Sequence, residues 1–389
     1  MAPPTDDDTD RRRVFEFAGE RPGPTLVITA GIHGNEPAGL HAIGRVHERL
    51  IADGVEVRGT IVGFAGNRQA LARGVRYIER DLNRGWEVER IDRLLADRRG
   101  HAAEDLEQSE LALLLIDEER RARGPLALVD LHTTSAASQP FVCMADTLRN
   151  RPLAFAMGLP VVLGLEEVID GSMLGWLVDR GHSGIAVEGG QHEAAEAVEV
   201  HEAVVWVALH AAGCIVGPPH VMLAQAQRRL RAAAADLPRV LEIRHRQVVG
   251  PSDAFVMASG FTSFVSVRRG QVLAHDRTGP IHCSEDALLL MPRYQPQGED
   301  GFFLAREVRG AWLTLSAWLR SVGAARLLPL IPGVRRDTAA REQLVVERHW
   351  PWRLTVDLMH LFGYRRVRPG EGGAVYSRRR PDARDPSSR

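Results

Sequence analysis

Lysine is absent from this sequence: all 49 basic residues are arginine, against 50 acidic ones in 389 residues. A GC-rich coding sequence accounts for that more simply than a special role for every arginine. The net charge of −1 leaves no overall pull toward nucleic acid or an anionic membrane. Cysteine is scarce. Cys143, Cys214 and Cys283 lie far apart and form no C-x-x-C pair, which argues against a disulfide framework and for a reducing compartment. No stretch reaches the ~18–20 apolar residues of a membrane span, and the polar opening MAPPTDDDTDRRR lacks the apolar segment of a secretory signal. A cytoplasmic protein is expected. Also missing are a G-x-S-x-G elbow, a P-loop and a G-x-G-x-x-G after a strand, which argues against serine hydrolases, NTPases and dinucleotide enzymes.

What remains is the composition of a globular α/β chain, 44% hydrophobic and 25% charged. A disordered head (1–12) precedes an α/β region (13–220). A β-rich region (221–310), a helical extension (311–380) and a disordered tail (381–389) follow. Thr25–Ala30 reads as a buried strand, followed by a glycine-flanked loop and a helix from about Glu36. Leu40, Ile43, Val46 and Leu50 share one face of that helix, and Gly54 ends it. Further strands are predicted at Gly59–Ala65, Leu126–Asp130, Pro160–Gly164 and Gly184–Glu188, with a helix over 104–123. Helical crossovers between strands imply a mostly parallel or mixed sheet covered on both faces. Beyond residue 238 the runs Val240–Arg244, Ala254–Val256, Phe264–Val267 and Ala287–Met291 suggest a small β domain. Residues 311–322 and 353–362 look helical.

The rare residue types fall at strand ends, where open α/β sheets bind ligands. The first buried strand runs into Gly31-Ile32-His33-Gly34-Asn35-Glu36. The strand at 126–130 ends in Asp130-Leu131-His132-Thr133-Thr134, and that at 184–188 in Val187-Glu188-Gly189-Gly190-Gln191. His33, Glu36 and His132 make a ligand set suited to one Zn2+ per chain, with a fourth position left for water. Gly34 is expected to let the chain turn sharply between two of the ligands.

At these residues the chain resembles the succinylglutamate desuccinylase/aspartoacylase family, relatives of the zinc carboxypeptidases. The matching pieces are G-I-H-G-N-E-P (31–37), R-Y-I-E-R-D-L-N-R (76–84), D-L-H-T-T (130–134) and V-E-G-G (187–190). The resemblance implies a zinc carboxypeptidase-like mixed sheet flanked by helices. It implies Glu188 as general base toward the attacking water, with Glu193 and Glu196 read as solvated. It implies Arg76 as the cation facing the developing oxyanion, and Asn83 with Arg84 as a clamp for a substrate carboxylate. Asp81 is expected to orient a neighbouring arginine or a ligand histidine. His182, His192 and His201 are read as surface or supporting histidines.

The reading is a zinc-dependent hydrolase that cleaves the amide bond of an N-acyl amino acid or a similar small carboxylate-bearing compound. A metallocarboxypeptidase acting on peptides or cell-wall fragments is the rival enzyme. A non-catalytic zinc-binding protein working through its C-terminal extension is the rival from another class. Partners follow: a small-molecule substrate, no nucleic acid, no membrane, and compatibility with a homo-oligomer. Trp312, Leu315 and Leu319 are expected to pack on the protein's own core, with Trp350 and Trp352 further on. Arg365, Arg366, Arg368 and Arg378–Arg380 are expected to form a solvated basic tail.

Overall fold

The computed structural model describes residues 12–97, 102–169, 171–217, 220–337, 343–347, 352–370 and 373–378. Residues 1–11 of the expected head, the expected tail and Trp350 lie outside them. Arg12 is buried: it is ion-paired with Glu107 and Glu110 and donates to the carbonyls of Ala65 and Gly66.

Among the described residues an eleven-stranded mixed sheet runs through the molecule. Its order is β1 (Arg13–Ala18), β3 (Arg58–Ala65), β2 (Arg21–Ala30), β4 (Leu126–Thr134), β7 (Ser183–Gln191), β5 (Phe141–Cys143), β6 (Val161–Leu163), β8 (Val240–Val248), β14 (Asp300–Glu307), β13 (Ala287–Leu290) and β10 (Ser266–Val267). The longer helices are α1 (Ala38–Ala52), α2 (Ala103–Arg121), α3 (Ala195–Ala211), α4 (Val221–Ala233), α5 (Gly310–Ser321) and α6 (Trp352–Leu361). None is long and apolar enough to cross a membrane.

Strand periodicity builds the core. Leu26, Ile28 and Ala30 of β2 pack with Ile43, Val46 and Leu50 of α1 and with the valines of α3. Val27 of the same strand points to the opposite face, against Phe64, Trp86, Leu111 and Trp176. β3, β2, β4 and β7 pair in parallel, so their carboxyl ends reach one edge together.

The β-rich region does not stand apart as a separate sheet. β8 pairs in parallel with β6 (Val161↔Val240), so β8, β14, β13 and β10 continue the main sheet. β9 (Val256–Met257), β11 (Val272–Asp276) and β12 (Gly279–His282) form a separate three-stranded sheet. Apolar runs announce strands but not the edge each one joins. In the extension both expected helices are present as α5 and α6. They are accompanied by a four-stranded sheet, β15 (Val334–Arg336), β16 (Leu344–Glu347), β18 (Gly373–Arg378) and β17 (Tyr364–Gly370), where only helices were expected.

Two expectations for the extension are overturned. α5 buries Ser316 and the Arg320 side chain, leaving Trp312 and Leu315 exposed rather than packed on the core, with Leu319 half-buried and Trp318 also exposed. Arg365 is buried instead of solvated. It pairs with Asp146 (3.0 Å) and Glu242 (3.0 Å), within a cluster that also joins Arg320 to Asp146 (2.7 Å) and His360 to Glu242 (2.6 Å).

That cluster has a signed pH dependence. Burial would raise the Asp146 carboxyl, but Arg320, Arg365 and Arg151 hold it well below the usual range; Glu242 is likewise held low by His360 and Arg365. Burial would lower His360, yet Glu167 and Glu242 raise it. The carboxylates therefore contribute stability above their ordinary pKa and lose it as pH falls. His360 contributes below its ordinary pKa and loses it as pH rises through its raised value. Urea unfolding should show greatest stability near pH 5–6. Asp146→Ala, which leaves buried arginines uncompensated, should cost about 3–5 kcal/mol, and His360→Gln should flatten the alkaline decline.

Candidate active site

β2 ends at Ala30, and Gly31, at φ 70°, takes the left-handed conformation that turns the strand into a loop. Gly34 is needed for a different reason from the sharp turn expected. A Cβ there would lie 2.1 Å from the carbonyl carbon of Ala70, so only glycine lets the loop approach the short helix Arg68–Arg73. The Gly34 N–H also donates to the Arg76 carbonyl (3.1 Å), and the Glu36 N–H to the His33 carbonyl (3.1 Å). Main chain alone thus locks the first motif against the second.

The ligand-type side chains converge. Glu36 Oε1 lies 2.9 Å from His33 Nδ1, and Oε2 lies 3.1 Å from His132 Nδ1 and 3.0 Å from the Thr133 N–H. The other ring nitrogens face carboxylates: His33 Nε2 is 3.1 Å from Asp81 Oδ1, and His132 Nε2 is 2.8 Å from Asp130 Oδ2. Thr29 Oγ1 donates to the remaining oxygen of Asp130 (2.6 Å). These contacts fix both rings with Nδ1 toward a common point. One donor atom from each of His33, Glu36 and His132 lies within 4.8 Å of the others, and all three residues are buried. Burial opposes charge on both groups, yet His33 and His132 hold Glu36 well below the usual carboxylate range, while Asp130 and Glu36 hold His132 well above the usual imidazole range. The cluster favours positive charge at its centre. Two imidazoles and a carboxylate so arranged suit a divalent metal ion.

The loop 76–84 is held from behind by α2. Glu104, fully buried, accepts from the N–H groups of Ile78 (2.6 Å), Glu79 (3.1 Å) and Arg80 (3.3 Å) and from Asn67 Nδ2 (3.1 Å). Arg76 projects from this loop to Asp81 (Nη2, 2.9 Å), with Nη1 3.6 Å from Glu36 Oε1. Asp81 therefore contacts both a histidine of the cluster and an arginine. Asn83 accepts from the Met173 N–H (3.0 Å). Arg84, expected as an open clamp, is already paired with Asp300 (2.9 Å), whose other oxygen meets Arg246 (2.5 Å).

Glu188 sits opposite His132 in the β4–β7 register. The residue is half-buried, and its shielded Oε2 has no hydrogen-bond partner among the described residues. Burial pushes its carboxyl up to about 8, with His132 pulling the other way. Behind it, Gly189 leaves room for His201: a Cβ would lie 2.5 Å from His201 Nε2. His201 is wholly buried and held down to about 4 by burial, whereas His182 pairs with Glu119 (3.0 Å) away from the site. His192 bonds Thr133 Oγ1 (2.8 Å) and Gln295 (3.2 Å).

All seven residues chosen from the sequence line one cavity of about 790 Å3, counting space open to solvent. The β-rich region builds part of its wall through Met291, Arg293, Gln295, Gly298, Asp300 and Phe303. Gln295 accepts from Asn35 (2.9 Å), and Gln297 accepts from the Arg76 N–H (3.1 Å) and donates to the Tyr77 carbonyl (3.1 Å). Sequence reasoning missed Glu104, Arg293 and Asp300, which carry no local motif. It also gave Asp130 no role, although its i, i+2 spacing to His132 places both on one face of β4.

The model of the succinylglutamate desuccinylase/aspartoacylase catalytic domain matches residues 22–205. Residues 22–205 form a domain of that family. Succinylglutamate desuccinylase of Pseudomonas aeruginosa is 37% identical over 62 residues, which is 16% of this chain and 19% of that protein. The matched stretch thus spans about a fifth of that relative's length. The crystal structure of a succinylglutamate desuccinylase/aspartoacylase from Rhodobacter sphaeroides superposes with a TM-score of 0.56 at 20% identity, covering 76% of this chain and 88% of that one. The X-ray structure of succinylglutamate desuccinylase from Vibrio parahaemolyticus gives a TM-score of 0.55 at 16% identity over 85% and 89%. At such identities the likeness is one of fold. The family is one of hydrolases, and the His33–Glu36–His132 cluster lies within the matched domain.

Asp81→Asn and Asp130→Asn should each weaken metal binding by roughly tenfold to a hundredfold, since each removes the carboxylate that orients a ligand ring. Competition against a chelating dye measures this. Unchanged affinity in both would show that the carboxylates do not set the rings.

Proposed function

We propose that the protein hydrolyses the amide bond of an N-acyl amino acid, or of a similar small carboxylate-bearing acyl compound, with one Zn2+ held by His33, Glu36 and His132. The observation that carries the proposal is Glu188. A shielded carboxylate with an unpartnered oxygen, raised to about 8, stands in the same cavity as the ligand cluster. When bound, zinc supplies Lewis acidity, which polarises a carbonyl and makes water acidic enough to react near neutral pH.

Glu188 takes the proton of the attacking water and delivers it to the leaving amine nitrogen. Arg76 keeps its charge, because Asp81 and Glu36 outweigh the cost of its burial. It stabilises negative charge developing on the acyl oxygen. Asn83 and Arg84 anchor the carboxylate of the amine-side product. Arg293 completes that anchor: unlike Arg76 and Arg84, it has no ion pair among the described residues, only the Gly298 carbonyl (2.5 Å) and the Phe255 ring.

Small substrates fit better than peptides. The segment 292–298, tied to Asn35 by Gln295 and to Arg76 and Tyr77 by Gln297, walls one side of the cavity, which favours a small substrate over an extended chain. Three free, buried cysteines suit a cytoplasmic enzyme.

The test is Glu188→Gln in zinc-loaded protein against a panel of N-acyl amino acids. A fall in kcat of about 10²–10⁴ with unchanged zinc content is expected. Equal activity removes Glu188 from the mechanism. Release of amino acids from peptides, with N-acyl amino acids inert, replaces the substrate class.

A further inference from the structure

A second cavity, about 530 Å3 with the space open to solvent, adjoins the first beyond Arg84. The two share Asn83, Arg84, Cys143, Leu165, Ile169 and Ala186, so a molecule reaching Arg84 from the metal cluster meets the second cavity next. Met144, Ala145, Leu174 and Gly175 extend its walls, which are mainly apolar.

Its charges are already engaged. Arg84, the one cation lining it among the described residues, faces Asp300 and in the proposed reaction also the α-carboxylate, which leaves no cation here for a second acidic group. The carboxylates lining it are Asp130, bonded to His132 and Thr29, and Glu166, which accepts from the Asp146 N–H (3.2 Å). An acidic group entering here would approach two carboxylates without gaining an uncommitted cation, and burying an unpaired charge is costly. An apolar group would replace water against Leu165, Ile169 and Leu174, a favourable burial.

We propose that this side cavity receives the side chain of the amino-acid half of the substrate and selects an apolar one, of leucine or methionine size. The inference rests on the proposed reaction, in which Asn83 and Arg84 hold the carboxylate of that half. With the carboxylate at Arg84 and the scissile amide toward His132 and Glu188, the Cα substituent is left facing the side cavity.

Two measurements on the zinc-loaded, full-length protein test this. In the first, kcat/KM is compared for the N-acetyl derivatives of alanine, leucine, methionine, aspartate, glutamate and lysine. Leucine and methionine should exceed the acidic and basic members by about tenfold or more, the size expected for burying several methylene groups. In the second, calorimetry of free leucine, glutamate and lysine reads the same preference without turnover. Ala145→Leu, which fills the cavity, should lower kcat/KM for N-acetyl-leucine at least tenfold while sparing N-acetyl-alanine. Leu174→Ala should shift preference toward N-acetyl-phenylalanine.

Preference for glutamate or lysine in either measurement overturns the inference. So does an Ala145→Leu protein that loses alanine and leucine substrates equally while Leu174→Ala changes no preference. If no N-acyl amino acid is cleaved, yet leucine binds more tightly than glutamate and lysine and Ala145→Leu abolishes that difference, the reaction fails and the side cavity stands.

Discussion

The site depends on three parallel strands that end level. Ala30 of β2 is opposite Leu131 of β4, and His132 of β4 is opposite Glu188 of β7. Parallel pairing fixes those heights once the buried faces are in register, because a slip of one residue would turn Leu26, Ile28 and Ala30 away from α1. His33, Glu36, His132 and Glu188 therefore meet through core packing, not through attraction among themselves. Attraction would be a poor organiser here, since gathering several carboxylates and two imidazoles out of water is unfavourable on its own. The hydrophobic sheet supplies the free energy, and the polar cluster occupies the edge it leaves.

Once gathered, the charges are arranged in layers. Glu36 touches both histidines; Asp81 and Asp130 stand behind the rings, and Thr29 and Arg76 behind those carboxylates. Each outer contact restricts the rotation of the group in front of it, so the donors are set before any cation arrives. Glu104 does the same for main chain, accepting from three successive N–H groups of the loop that carries Arg76. That carboxylate lies on α2, a helix whose inward face is unusually polar, with Glu104, Asp105, Glu107 and Gln108 all buried. Its polarity is the complement of a loop rich in unpaired donors.

The inner layer was legible in the sequence because strand-end position and residue type coincide there. Glu188 follows an apolar run directly, His33 and His132 fall in the strand-end motifs that close two others, and Glu36 opens the helix predicted after the first, while the motif at 76–84 sits between two predicted elements. The outer layer was not legible. Glu104 looks like an ordinary first-turn helix carboxylate, and Asp300 pairs with Arg84 across 216 residues of sequence. The same limit applies to the sheet: apolar runs predicted strands in the β-rich region, but the parallel β6–β8 pairing is a long-range choice made by packing. Arg365 shows the limit at the level of charge. In sequence it belongs to a basic cluster, and only the fold reveals the carboxylates that bury it.

The C-terminal extension consequently bears on the proposed site, although none of its described residues lines the catalytic cavity. Arg320 and Arg365 both pair with Asp146, which follows Ala145 of the side cavity directly and whose N–H donates to Glu166 of the same cavity. Asp146 is fully shielded, and three guanidinium groups bond its carboxylate, two from the extension and Arg151 as the third. Without the extension Asp146 would keep Arg151 but lose the bonds that Arg320 makes to its carbonyl and carboxylate and that Arg365 makes to its carboxylate. The wall at Met144 and Ala145 leads directly into Asp146. The extension therefore fixes one side of the side cavity through a buried ion cluster, much as the segment 292–298 fixes one side of the catalytic cavity through two glutamines. The catalytic cavity is walled in part by residues outside 22–205, and the side cavity, lined wholly within them, is braced by the extension through Asp146, so the matched domain alone does not determine either.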